Sequence, residues 1–465
     1  MTQTDETTTT NGMKAYSTIG NEIVSLFYNI GASRGKDIIP AFSKAYAENS
    51  ELALRVAMWA RDVRGGAGER KLFRDILNYL EVTDPDAAKS LLPKIPEIGR
   101  WDDIFVFKTP ELKHDAFTLA AAALRASNGL MAKWAPREKS AKSGIAQEFR
   151  KFLGWSPKYY RKTLVALTNV VEQKMCANAW DDINFNHVPS LASTRYKKAF
   201  ARHTPNFATY VQALIKGDPS VKINTAAVYP YDVLKGIGNY GYNKIEQDHV
   251  IAQWDALPNY IGNASILPLV DVSGSMTCSA GGNSSITCMD VAISLGLYVS
   301  DKNTGKFKDT FLTFSTNPEL ITLQGNIVEK ALQMKSSNWA MSTNLNAAFD
   351  KILAVATQFN VPPSEMPEIL LILSDMVFDS SVSYNETAME MIERKYKDAG
   401  YTPPSVVFWN INASGNSPVK SHKSKAALVS GFSPSLLLSV LSADMDEFTP
   451  EGICLKTIMV DRYSL

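Results

Sequence analysis

Five oxygen-bearing residues stand beside apolar runs in the second half of the chain, and their types and order suit the grip of one hard dication. The run I-L-P-L-V leads into D-V-S-G-S-M, which sets Asp271 at the carboxyl end of a strand with Ser273 and Ser275 on the turn that follows. Gly274 permits a tight backbone there. Thr343, in M-S-T-N-L-N, opens a helical stretch, and Asp375 closes the run L-L-I-L-S-D. Carboxylates and hydroxyls of this kind suit Mg2+, which seeks near-octahedral oxygen geometry and keeps several waters; Mn2+ fits the same set. Singly, each residue has a plainer role, because Asp ends strands as a turn former and Thr343 is a good N-cap. Jointly, three separated stretches deliver oxygen at matching strand ends and make a candidate cation set. The chain has five His, and none falls in the Asp271 or Asp375 loops, so the commonest general base is missing. Asp379 is the further carboxylate nearby and reads as structural. The site is expected to bind and not to catalyse, and the protein is expected not to be an enzyme.

Positioning these residues requires strands that end at one edge. From Ile261 onward, apolar runs at Ser265–Val270, Thr310–Phe314, Glu368–Leu373 and Ser405–Ile411 alternate with helical stretches at Met289–Ser300, Leu345–Ala356, Asn385–Asp398 and Pro434–Leu441. Continuous apolar strands alternating with amphipathic helices indicate an α/β doubly wound domain over residues 261–465, with a parallel sheet covered on both faces. Ligands of such folds gather at the carboxyl ends of the strands, where the oxygen donors fall. Residues 13–260 read instead as all-α: apolar residues recur at three- and four-residue spacing in Asn21–Asn29, Ile38–Glu48, Glu51–Arg61, Arg70–Leu80, Pro85–Leu92, Leu112–Ser127, Tyr159–Met175 and Arg195–Arg202. Short turns without a sustained heptad suggest a stacked, HEAT-like array. Residues 1–12 are expected to be a disordered polar tail.

With 465 residues, 45% of them hydrophobic and 20% charged, the chain is expected to fold as a multidomain globular protein. Neither an apolar span nor a signal peptide is visible, so a cytoplasmic protein without membrane attachment is expected. Four scattered cysteines fit free thiols; Cys278 and Cys288 flank a Gly/Ser loop but lack the further ligands that zinc needs. The net charge of +1 hides a basic module, since Met131 to Pro230 carries 16 Lys and Arg against 6 Asp and Glu. Such a concentration marks a candidate polyanion site, with solvated helix faces as the plainer alternative. The residues singled out for phosphate contact are Lys133, Arg137, Lys158, Arg161, Lys162, Arg195, Lys197, Lys198 and Arg202, with Trp101, Trp134, Tyr159 and Tyr160 among the basic residues; for these aromatics packing between helices is the stronger reading. Arg61, Arg70 and Arg100 have acids beside them, and ion pairing is at least as good a reading for these three.

Several stretches together resemble known families. D-x-S-x-S after a strand, a later Thr at a helix start, and S-D after a further strand resemble the metal-ion-dependent adhesion site of von Willebrand factor A domains, with an enlarged loop at 276–288 as a departure. F-Y-N-I-G-A-S-R-G, W-A-R-D-V-R-G-G-A-G-E-R, I-G-R-W-D-D-I, A-K-W-A-P-R-E, Y-Y-R-K and N-H-V-P-S resemble the helical module of the TROVE (Ro autoantigen-like) group and, more closely, a related uncharacterised family of the same architecture. The resemblance implies a cation at the five residues above and a helical module that binds small structured RNA or single-stranded RNA ends. The expectation is an RNA-binding ribonucleoprotein scaffold, monomeric, with a protein partner at the metal. The alternative is a metal-dependent protein–protein adaptor without RNA.

Overall fold

The strands of the carboxyl half lack polar alternation because both faces of their sheet are covered. In the computed structural model, residues 6–168, 170–225, 228–235, 237, 243–280, 286–314, 317–337, 344–378, 386–412, 417–441 and 448–465 are described. They include eight strands: β1 (Glu6–Thr8), β2 (Lys14–Tyr16), β3 (Ile266–Val270), β4 (Thr310–Thr313), β5 (Leu320–Thr322), β6 (Ile369–Ser374), β7 (Ser405–Asn410) and β8 (Ala426–Ser430). The last six form one sheet in the order β5-β4-β3-β6-β7-β8, parallel except for the edge strand β5. Every residue of β3, β4, β6, β7 and β8 is buried. The helix Cys288–Lys302 lies so close to β3 that a Cβ on Gly296 would come within 2.4 Å of the Val270 side chain. From β3 the chain winds outward to β4 on one side, and returns to β6 on the other. That reversal makes the gap between β3 and β6 the topological switch point, where doubly wound sheets open a crevice.

The amino-terminal half is helical, as its periodicity predicts, and seven of its described α-helices begin on a side-chain cap. Asn21, Asn49, Asp84, Asn128, Ser156, Thr204 and Asn243 each accept a backbone N–H from the first turn. The helix expected across Tyr159–Met175 is divided: one helix spans Pro157–Leu167 and another Val171–Cys176. Thr168 is extended, and its hydroxyl donates back to the Leu164 carbonyl, an alternative to continuing the ladder that Ser and Thr offer.

Residues 6–12 are not a disordered tail. β1 pairs antiparallel with β2, the Thr9 hydroxyl donates to the Phe378 carbonyl at 2.6 Å, and Tyr16 exchanges backbone hydrogen bonds with Ser417. Threonine runs favour strands, but the hairpin is anchored through Thr9 to Phe378, 369 residues away in sequence and beyond the reach of local pattern.

The array closes on itself and on the sheet. The helix Glu22–Ile30 packs on β8, where Gly31 is needed because a Cβ there would sit 2.4 Å from the Ser430 carbonyl oxygen. At the far end the Tyr229 hydroxyl donates to the Ala67 carbonyl, and the Trp254 indole donates to Asp301. The carboxyl terminus returns as well: Arg462 and Tyr463 both donate to Asp62. One continuous apolar core therefore runs from Met13 to Tyr463. A second, smaller core around Phe185, Phe200, Phe207 and Val211 belongs to a lobe of its own. No helix among the described residues is long and apolar enough to cross a membrane.

Candidate functional site

Register alone brings the two predicted carboxylates together. Val270 pairs with Leu373, so Asp271 leaves the sheet beside Ser374, the last residue of β6. The Asp271 N–H donates to the Leu373 carbonyl at 2.9 Å, and the Ser374 hydroxyl donates to the Asp271 carboxylate. Asp271 also accepts the Ser273 N–H at 2.8 Å, which curls the turn so that the Ser273 and Ser275 hydroxyls lie 3.0 Å apart. Asp375 is hydrogen-bonded to Ser275 and accepts the Val377 N–H at 3.3 Å. Thr343 lies outside the described residues, as does Asp379. Ser374, whose hydroxyl also accepts the Met376 N–H, is a positioning residue not singled out from sequence.

Electrostatics leave this cluster short of positive charge. Burial, and then the charge of Asp375, push the Asp271 carboxyl up to about 6. Burial raises Asp375 too, opposed by hydrogen bonds and by the distant pull of Lys36, a residue of the helical half. Among the described residues no salt bridge reaches either carboxylate, and no cluster of three His, Cys, Asp or Glu forms a different metal centre. Two buried carboxylates beside two hydroxyls are hard oxygen donors facing a charge deficit, so the residues present fit a dication such as Mg2+.

The second candidate is a cavity of about 1550 Å3 in the middle of the closed array, above the roughly 300–1,000 Å3 of ordinary small-molecule pockets. Its wall draws on distant segments: Arg34 and Gly35, the stretch from Gly68 to Leu72, Arg100, Lys133 and Trp134, Val170 to Lys174, and Pro189 to Arg195. The wall is thus shared between the main body and the lobe with the second core. Eight Lys or Arg line it against the acids Glu69 and Glu172, and Glu69 is held by Arg34. Several of the cations are already engaged. Arg61 pairs with Asp103 at 2.7 Å, Lys71 with Asp75 at 2.6 Å, and Arg100 makes a two-pronged contact with Asp102 while lying 3.7 Å over the Trp134 ring. Arg70 makes no salt bridge among the described residues. Its guanidinium is held below its usual pKa by burial and then by the neighbouring charges of Arg100 and Arg74. Arg70 is exposed on the cavity wall, and the carboxylates of Asp102 and Asp103 oppose the effect of the neighbouring guanidiniums.

The nine residues proposed for phosphate contact do not share one surface. Lys133 and Arg195 line the cavity. Lys158, Arg161 and Lys162 are exposed on the helix Pro157–Leu167 and are absent from the cavity wall, and Lys198 and Arg202 are exposed on the helix Ser190–His203. Arg137 is half-buried and donates to the Ala132 carbonyl at 2.9 Å. Lys197 is a correction: only 3% exposed, it is buried under its own helix, and desolvation brings its ammonium down to about 8. Tyr160 is likewise buried, its hydroxyl donating to the Pro136 carbonyl. Lys71, Lys174 and Arg34 are cavity residues that charge counting alone did not mark.

Beside Lys197 the same helix buries Ser193, which hydrogen-bonds the His249 ring at 2.7 Å. Burial, and then Lys197, lower the His249 pKa from 6.5 to about 3. The unfolded chain therefore binds a proton that the folded chain refuses between these values. Stability from this group is complete above pH 6.5 and is lost as pH falls toward 3, by about 1.4 kcal/mol per pH unit. Urea unfolding across pH 4–6 should show this slope in the wild type and a slope flatter by one proton in His249→Leu; equal slopes would contradict it.

A helical array closed by a doubly wound α/β domain, with a carboxylate–hydroxyl cluster at the switch point, defines the class of protein. Residues 9–98 and 109–265 match the family described as Domain of unknown function (DUF2828), and residues 265–456 match Domain of unknown function (DUF7788). The chain belongs to the DUF2828 family. It is 30% identical to Uncharacterized protein L728 of Acanthamoeba polyphaga mimivirus, over 97% of this chain and 86% of that protein. Among solved structures it is similar to the Ro (RSR) protein of Deinococcus radiodurans, with a TM-score of 0.49 and 15% identity over 94% of this chain and 99% of that one.

Proposed function

We propose that this protein is a non-enzymatic scaffold that takes single-stranded RNA into the cavity of its helical array, and that its α/β domain holds one dication at Asp271, Ser273, Ser275, Thr343 and Asp375. The observation that carries the RNA reading is the large cavity whose wall holds eight Lys or Arg against two acids, with Arg70, Lys133 and Arg195 among them. Phosphates spaced along a strand satisfy several such cations at once, while bases stack on aromatic surfaces and on guanidinium planes. The Arg100–Trp134 pair offers one such platform. Contacts of this kind position a strand without reading its sequence.

Anisotropy of a labelled single-stranded RNA tests this reading. The logarithm of affinity should fall linearly with the logarithm of salt, at a slope of roughly 0.7 per phosphate engaged. A flat response, or preference for a protein partner that requires Mg2+ with no RNA bound at low salt, would overturn it in favour of an adaptor.

A further inference from the structure

Cys278 and Cys288 bring their sulfurs to 3.4 Å. They face one another across a short antiparallel pairing: Ser279 bridges Thr287, Cys288 N–H donates to the Cys278 carbonyl at 3.0 Å, and Ala280 N–H donates to the Ile286 carbonyl at 2.8 Å. Directly opposed residues of such a pair hold their Cα atoms about 4.5–5.5 Å apart, inside the roughly 4.4–6.8 Å that a disulfide spans. Cys278 is partly exposed and Cys288 is buried, so one sulfur is accessible and the other waits behind it. Both are thiols in this structure.

The pair also joins two parts of the cation site. The turn Gly274–Thr277, which carries Ser275, leads directly into Cys278, whose N–H donates to the Ser275 carbonyl at 3.4 Å. Cys288 opens the helix that Gly296 lays against β3, the strand that leads into Asp271. A bond between the sulfurs would tie the serine turn to the element supporting the aspartate. Restraining a site in its bound arrangement lowers the ordering cost of binding.

We propose that Cys278 and Cys288 form a redox-active pair whose disulfide tightens the neighbouring cation site; the second part rests on the dication reading given above. The oxidant is a small-molecule disulfide of the glutathione class. The Cys278 thiolate attacks one of its sulfurs, the S–S bond breaks, and the released thiolate takes up a proton. The Cys288 thiolate then attacks the Cys278 sulfur of the mixed disulfide and expels the second small thiolate, which is protonated in turn. Two protein thiols are oxidised to one disulfide, and one small disulfide is reduced to two thiols.

The full chain equilibrated in mixtures of reduced and oxidised glutathione tests the first part. Expected at the oxidising end is a mass lower by two hydrogens and a non-reducing peptide map linking 278 to 288. The link should persist in Cys176→Ser and in Cys454→Ser and vanish in Cys278→Ser. Free thiols throughout, or a mixed disulfide that persists at Cys278, would overturn the pair. Calorimetric titration of both forms with Mn2+ tests the second part, with the oxidised form expected to bind at least about fivefold more tightly, the low end of ordinary couplings. Equal affinities would overturn the coupling and leave the disulfide standing. Binding to neither form would overturn the cation reading and the coupling together, while the peptide map decides the thiol pair on its own.

Discussion

An Asp271→Asn variant should lose the rise in melting temperature that Mg2+ or Mn2+ gives the wild type, and without cation it should melt above the wild type. Both effects have one cause. The Asp271 carboxylate is fully buried, and burial together with Asp375 lifts its pKa from 3.8 to about 6. A carboxyl whose folded pKa is raised destabilises the fold once charged: the cost begins as pH rises past 3.8 and is complete above about 6. At neutral pH that cost is on the order of 3 kcal/mol, and a dication offsets it by mass action on the folded state. Asparagine removes the charge and keeps one oxygen for the Ser273 N–H, while its N–H2 replaces the oxygen that accepts the Ser374 hydroxyl, which must turn to accept instead. Accommodating that change leaves a net gain on the order of 1–2 kcal/mol. Thermal melts with and without added Mg2+ or Mn2+ decide the matter. A variant whose melting temperature still climbs with cation like the wild type's would remove the dication from this site.

The adjacency of Asp271 and Asp375 was legible in sequence because strand ends are local. The residue after a buried parallel strand leaves at the sheet edge, and Asp271 and Asp375 each follow such a run, so adjacency needed only β3 and β6 to be neighbours. Where local pattern was thin, the elements went unseen. β8 is A-A-L-V-S, small residues with no β-branched run, and β5 has three residues. The hairpin of β1 and β2 is polar and gains its order from Phe378, Thr387 and Ser417. The cavity was hidden for a different reason. Its closure depends on Tyr229 meeting Ala67 and on Arg462 meeting Asp62, contacts separated by 162 and 400 residues. Net charge located a basic stretch but could not say which side chains turn inward. Helical periodicity settles that only within one helix, which is why Lys197 was counted with Lys198 although one is buried and the other exposed.

The same distinction sets the sharpest test of the RNA reading. Reversing three cavity charges together, Arg70→Glu, Lys133→Glu and Arg195→Glu, should weaken single-stranded RNA binding by roughly 100-fold or more at 0.1 M-scale salt and flatten the salt slope by about 2. Reversing three outer charges, Lys158→Glu, Arg161→Glu and Lys162→Glu, changes net charge equally and should cost less than about threefold, because exposed charges beyond a Debye length of roughly 10 Å are screened. The cavity variant should still fold. Arg70 makes no salt bridge among the described residues and begins the helix Arg70–Thr83, where an acid is favoured by the helix dipole, while Lys133 lies 5.4 Å over an indole and Arg195 is exposed. If the outer variant lost binding and the cavity variant kept it, RNA would track the outer face of the helix Pro157–Leu167. The cavity would then hold something smaller than a strand. Equal, modest losses in both would mean that total charge attracts RNA and that no surface of this chain is shaped to receive it.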